Sequence, residues 1–133
     1  MNAVFADTSF YVAAVSPKDA FHAKAMEFVR QYTGAVVTTE HVLIETGNWF
    51  ARTQDRGLFL DLLDSIQTDP KTTVIWSVRP LFDAGLKLYA TRMDKDWSVT
   101  DCISFVVMRE HGFKEALTAD HHFEQAGFRV LLR

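Results

Sequence analysis

The sequence has one cysteine, three prolines and six glycines in 133 residues, and each scarcity excludes something. A lone thiol, Cys102, cannot form an internal disulfide, and it rules out a multi-cysteine zinc site or an iron–sulfur cluster. This points to a reducing, cytoplasmic compartment. No run approaches the roughly 18 uninterrupted apolar residues of a membrane-spanning helix. The opening MNAVFADTSF lacks the basic-then-apolar pattern of a signal peptide, so neither export nor a membrane is expected. Basic excess is missing too. With 14 Lys+Arg against 17 Asp+Glu the net charge is −3, which argues against holding nucleic acid by bulk electrostatics. Neutralising four carboxylates with metal would turn −3 into +1, so a metal-dependent nuclease stays open.

What is present is a core-forming composition, 48% hydrophobic and 23% charged, with no repeat, low-complexity tract or linker. A single domain over residues 1–133 is expected. Ala3-Val4-Phe5-Ala6 is a short apolar run suited to a buried strand, followed by a helix from about Ser9 to Val15. A second helix is expected from His22 to Tyr32, with Ala25, Met26, Val29 and Tyr32 on one face and Gly34 ending it. Ala35–Val37 predicts a strand, and Thr38 or Thr39 the start of a helix reaching about Arg52. Leu58, Phe59, Leu62, Leu63 and Ile66 carry the period of the next helix.

The β-branched stretch Thr72 to Trp76 predicts a third strand. Leu81, Gly85, Leu88 and Tyr89 mark another helix. Ser98 opens one that is apolar nearly all round and closed by Gly112, hence deeply buried. Ala116–Thr118 and Phe128–Leu132 read as two last strands around a short helical turn. Short apolar strands alternating with helices predict an α/β fold, a three-layer α/β/α sandwich on a parallel sheet. Ligands of such sheets sit beyond the carboxyl ends of the strands.

Four acids fall where that edge would present them. Asp7 ends the first strand, Asp120 follows the fourth, Asp101 lies in the first turn of the buried helix, and Glu45 in the helix after the second strand. Hard oxygen ligands of this kind suit Mg²⁺ or Mn²⁺. Each acid also has a plainer explanation. Asp7 and Asp120 sit where helix caps would, and Ser98-Val99-Thr100-Asp101 spells a capping box. Glu40 competes with Glu45, but five helical residues separate them by about 140°, so both cannot face one site. Glu40 is accounted for by the helix dipole, which favours Glu45 for the site.

The segments VFADTSFYVAAV, TTEHVLIETGNWF, DKDWSVTDCISFVVMREHG and ALTADHHFEQAGF together resemble the PIN-domain ribonucleases, and most of all the VapC-type toxins of bacterial toxin–antitoxin pairs. The resemblance spans nearly the whole chain. It implies a parallel sheet in the order 3-2-1-4-5 and Mg²⁺- or Mn²⁺-dependent hydrolysis of RNA phosphodiester bonds. Asp7, Glu45, Asp101 and Asp120 would then be both the catalytic and the metal-holding residues. Thr8, Ser9 and Thr118 resemble the family's hydroxyls near the site, and Asp96 is an extra acid beside it. Cys102 stands where relatives often have alanine.

The partners implied by the resemblance are an RNA substrate, a small antitoxin whose basic or polar tail enters the acidic cleft, and a second copy of the chain in a homodimer. A catalytically inactive PIN-like module that binds RNA or protein is the alternative. A phosphoacceptor signalling domain fits less well, because Trp76-Ser77-Val78 stands where its aspartate belongs and Thr8 where a second acid would pair with Asp7. His22, His41, His111, His121 and His122 show no metal-ligand spacing along the chain. Trp49, Trp76 and Trp97 read as core or interface rather than base-stacking platforms, and Arg92 and Lys95 as solvated surface within reach of RNA phosphate.

Overall fold

A computed structural model describes residues 3–133; the expected domain span also includes Met1 and Asn2, which lie outside the described residues. The elements are β1 (Ala3–Ala6), α1 (Thr8–Val15), α2 (His22–Gln31), β2 (Ala35–Thr39), α3 (Glu40–Trp49), α4 (Arg56–Thr68), β3 (Thr72–Ile75), α5 (Arg79–Thr91), α6 (Val99–His111), β4 (Glu115–Leu117), α7 (His121–Gln125) and β5 (Arg129–Val130). The five strands form one sheet in the order β3-β2-β1-β4-β5, and every pairing is parallel. Successive side chains of a strand point to opposite faces. Val4, Phe5 and Ala6 are all buried, so helices cover both faces of the central strand. This is the expected α/β architecture and strand order.

Packing corrects several local expectations. α2 does not bury Val29, which is 52% exposed; the side turned to the core carries Ala25, with Phe28 and Tyr32 stacked against each other. Two aromatic rings remove more apolar surface from water than Met26 and Val29 would. α3 stops at Trp49 rather than Arg52. Trp76 lies beyond β3 and is about half exposed. β5 is two residues long, because its partner β4 offers only three; Leu131 N–H still donates to the Ala116 carbonyl at 3.0 Å and Leu132 N–H to that of Thr118 at 3.2 Å. Chain continues past the ladder but stays tied to it.

α6 is the buried helix expected, with Cys102, Ile103, Phe105, Val107 and Met108 all within the core. It lies tightly on α5. A Cβ on Gly85 would come 2.4 Å from Ile103 Cγ1 and 3.3 Å from its Cα, so the close crossing requires glycine there. Gly112, at φ +71°, ends α6 in the left-handed conformation that glycine adopts without strain. These two glycines fix the position of the helix that carries Asp101.

Candidate active site

β2, β1 and β4 are neighbours in the sheet and all run the same way, so their carboxyl ends open onto one edge. Asp7 follows β1 directly, and its N–H donates to the Leu117 carbonyl of β4 at 3.1 Å. Thr118 and Asp120 follow β4. α3 leaves β2 at the same edge, with Thr39 capping it by accepting the Val42 N–H at 3.1 Å, and Glu45 sits one turn in. α6 precedes β4, so its first turn, with Asp101, must start from that edge too. Topology therefore brings all four acids to one place.

Asp7 is fully buried, and its carboxyl is pushed from 3.8 up to about 7. Loss of solvation is the main cause; the charges of Asp101 and Glu45 add to it, and bonds from the Thr8 N–H and the Thr118 hydroxyl pull the other way. A carboxylate only accepts, which fixes the direction of the hydroxyl chain beside it. Thr118 Oγ1 donates to Asp7 Oδ2 at 2.9 Å and accepts the Asp120 N–H at 3.0 Å. Its own proton being committed, Ser9 Oγ donates to it at 2.8 Å while accepting the Ala119 N–H at 3.0 Å. On the other side, the Thr8 hydroxyl donates to Glu45 Oε1.

Glu45 is half-buried and its carboxyl is raised, by desolvation first and then by the charges of Asp101 and Asp120, against the Thr8 bond. Asp101 is raised in the same way, with Asp120 adding and the Ser98 N–H and His122 opposing. The four acids thus repel one another across the edge, the signature of a cluster that a cation would relieve. In Glu45, Asp101 and Asp120 the protein's bonds gather on one oxygen each, Oε1, Oδ2 and Oδ1.

The plainer roles expected of Asp101 and Asp120 are also present. Ser98 Oγ accepts the Asp101 N–H at 3.0 Å and Asp101 Oδ2 accepts the Ser98 N–H at 3.1 Å, a complete capping box. Asp120 Oδ1 accepts the His122 N–H at 2.9 Å and so caps α7. Capping and membership of the cluster coexist in both residues. Asp7 precedes α1 at the cap position but makes no side-chain cap bond.

Glu40 is turned away from the cluster, accepting the Ser77 N–H at 2.7 Å. Asp96 is exposed, at the rim of a shallow cavity of about 530 Å³ lined by Arg92, Lys95 and Trp97. Trp97 is core: its Nε1 donates to Gln125 Oε1 at 3.0 Å, and the Arg92 guanidinium lies 4.9 Å from its ring. Trp49 and Trp76 are exposed.

Two histidines meet the acids in space, which their spacing along the chain does not signal. His122 Nδ1 lies 3.1 Å from Asp101 Oδ2 and 3.4 Å from Asp120 Oδ1, and His121 Nδ1 lies 3.7 Å from the same Asp120 oxygen. Adjacent residues usually diverge, which is why their spacing signals nothing along the chain. Here the cap that Asp120 makes at the start of α7 draws the carboxylate back over the first turn, within reach of both rings.

The sequence profile of the PIN domain matches residues 4–129, almost the entire chain. The chain belongs to the PIN-domain family. Its similarity to the 23S rRNA-specific endonuclease VapC20 of Mycobacterium tuberculosis is 28% identity over 125 residues, 94% of this chain and 95% of that one. The crystal structure of VapC20, described as a sarcin–ricin loop cleaving toxin, superimposes with a TM-score of 0.86 at 27% identity, again covering 94% and 95% of the two chains. FitAcB from Neisseria gonorrhoeae, 14% identical over 96% of both chains, shares the PIN fold at a TM-score of 0.69.

Proposed function

We propose that this PIN domain is an endoribonuclease, the toxin of a toxin–antitoxin pair, and that Asp7, Glu45, Asp101 and Asp120 are its catalytic and metal-holding residues. The observation that carries this reading is the mutual repulsion of four carboxylates drawn to one sheet edge by three parallel strands. A protein that only bound RNA would gain nothing from such a cluster, which repels phosphate.

The donor set fits a hard divalent cation, Mg²⁺ or Mn²⁺: carboxylate oxygens only, with one oxygen of Glu45, Asp101 and Asp120 left free of the bonds that hold each in place. Such a cation, when held there, lowers the pKa of water and offsets charge on a phosphodiester in hydrolysis. The chain's own part is to hold the acids ready. Thr8 fixes Glu45, the Ser9–Thr118 pair fixes Asp7, and the α6 cap fixes Asp101. Burial of Asp7 keeps water from screening the cluster.

The single domain, the antitoxin and the homodimer belong to the same proposal. A basic antitoxin tail matches the charge of the cluster. Phe82, Leu86 and Tyr89, spaced to form one stripe of α5, and Met93 just beyond its end are exposed apolar residues of the kind that pairs of subunits cover. Among the described residues no helix is long and apolar enough to cross a membrane.

The test is incubation of the purified protein with mixed cellular RNA and with a sarcin–ricin loop oligonucleotide, in Mg²⁺, in Mn²⁺ and in chelator. Cleavage that needs metal and is lost in Asp101→Asn supports the reading. Intact RNA in every metal, or equal cleavage in chelator, overturns it.

A further inference from the structure

The edge of the cluster at α7 differs chemically from the rest. Three residues there, Asp120, His121 and His122, each offer a ligand atom within 4.8 Å of the other two. Imidazole nitrogen is a poor ligand for Mg²⁺ and a good one for borderline ions such as Zn²⁺. A four-coordinate ion with bonds of about 2.0–2.1 Å holds its donors about 3.3 Å apart. Asp120 Oδ1 lies 3.4 Å from His122 Nδ1 and 3.7 Å from His121 Nδ1, and Asp101 Oδ2 lies 3.1 Å from His122 Nδ1. The two Asp120–imidazole separations lie within about 0.4 Å of the required value before any ion is bound.

From this we infer that Asp120, His121 and His122 form a three-ligand site for a divalent transition ion, with Zn²⁺ as the probe, and that filling it inhibits cleavage by drawing Asp120 from the hard-ion cluster and ending the His122 hydrogen bond that helps to hold Asp101. Two imidazoles and a carboxylate are a known zinc donor set. On binding, the Nδ1 proton of each ring is given up or passes to Nε2, so the present hydrogen bond from His122 to Asp101 is lost. His121 is 60% exposed at its side chain and His122 20%, which gives the ion an approach and leaves the outer ring free to adjust.

Binding stands on the geometry alone; inhibition rests also on the function proposed above. The experiment separates them. Tag-free protein competes with a chromophoric chelator for Zn²⁺, as wild type, His121→Ala, His122→Ala and His111→Ala; His111 bonds the Val107 carbonyl at the far end of α6 and serves as the control. The wild type and His111→Ala are expected to bind one Zn²⁺ with equal affinity, and the other two at least about 10-fold more weakly. His121→Ala removes only an exposed ring, so a folding failure of His122→Ala leaves the test intact.

A wild type that does not compete with the chelator, or variants that bind as it does, overturns the site. Mg²⁺-supported RNA cleavage is then followed against rising Zn²⁺. The expected result is loss of cleavage as the site fills, displaced to at least about 10-fold higher Zn²⁺ in His121→Ala. Cleavage unchanged with Zn²⁺ bound overturns the inhibition. A protein that binds Zn²⁺ but cleaves no RNA in any metal contradicts the nuclease reading and leaves the ion site standing.

Discussion

The two halves of the carboxylate cluster are held in different ways. At β1 and α3, Asp7 and Glu45 rest on neutral donors alone, the Thr118 hydroxyl and the Thr8 N–H for Asp7 and the Thr8 hydroxyl for Glu45. At α6 and α7, Asp101 and Asp120 rest on backbone N–H groups at helix starts and on the ring of His122. Such donors supply dipoles and no charge, so they do not offset the burial of Asp7, whose carboxyl rises to about 7. A cap and an imidazole hold their acids whether or not a cation is present. The first half therefore depends on the cation, and the second keeps a structural role of its own.

Asp7→Asn breaks the contrast most strongly. Cleavage should fall by more than about 100-fold, beyond the 10–100-fold that loss of an outer-shell partner costs, as measured by initial rates on RNA. In chelator the same change should stabilise the protein. Folding raises the Asp7 pKa from 3.8 to about 7, so the folded state binds the proton more tightly than the unfolded state does. Stability conferred by the protonated acid is complete at low pH and lost as pH climbs from about 4 to about 7, by roughly 4 kcal/mol at most. Urea unfolding across that range should show this slope in wild type and a flatter one in Asp7→Asn.

Thr118→Val should come next. It leaves Asp7 buried without its hydroxyl and the Asp120 N–H without its acceptor, a cost of about 1–3 kcal/mol. Cleavage should drop about 10-fold as Asp7 loses its orientation. Ser98→Ala should be the mildest. It removes half of the α6 cap for about 1 kcal/mol and leaves the Asp101 carboxylate in place, so cleavage should change far less than in Asp101→Asn. Equal loss of cleavage in these two variants would mean that Asp101 serves α6 alone.

The same contrast explains what the sequence made legible. Asp7 stands out because an acid ends an apolar strand, and Asp101 because a capping box precedes an apolar helix; both signals are local. Strand order is not local, and it entered through the resemblance of four segments to PIN domains; the sharing of one sheet edge followed from the alternation of strands and helices, which implies a parallel sheet. Side-chain direction was the least legible. The turn of His121 and His122 toward Asp120 depends on the cap of a five-residue helix, and the partial burial of Phe28 in place of Val29 depends on what α2 packs against. β5 read too long because its apolar residues continue where its partner strand does not.

The central claim is that the four acids are a cation site, and thermal unfolding against Mn²⁺ addresses it without any RNA. A ligand that binds only the folded state raises the melting temperature by mass action. The wild type should melt higher with each increment of Mn²⁺, while Asp7→Asn should start above it in chelator and gain little. Superimposable wild-type melting curves in chelator and in millimolar Mn²⁺ would contradict the claim.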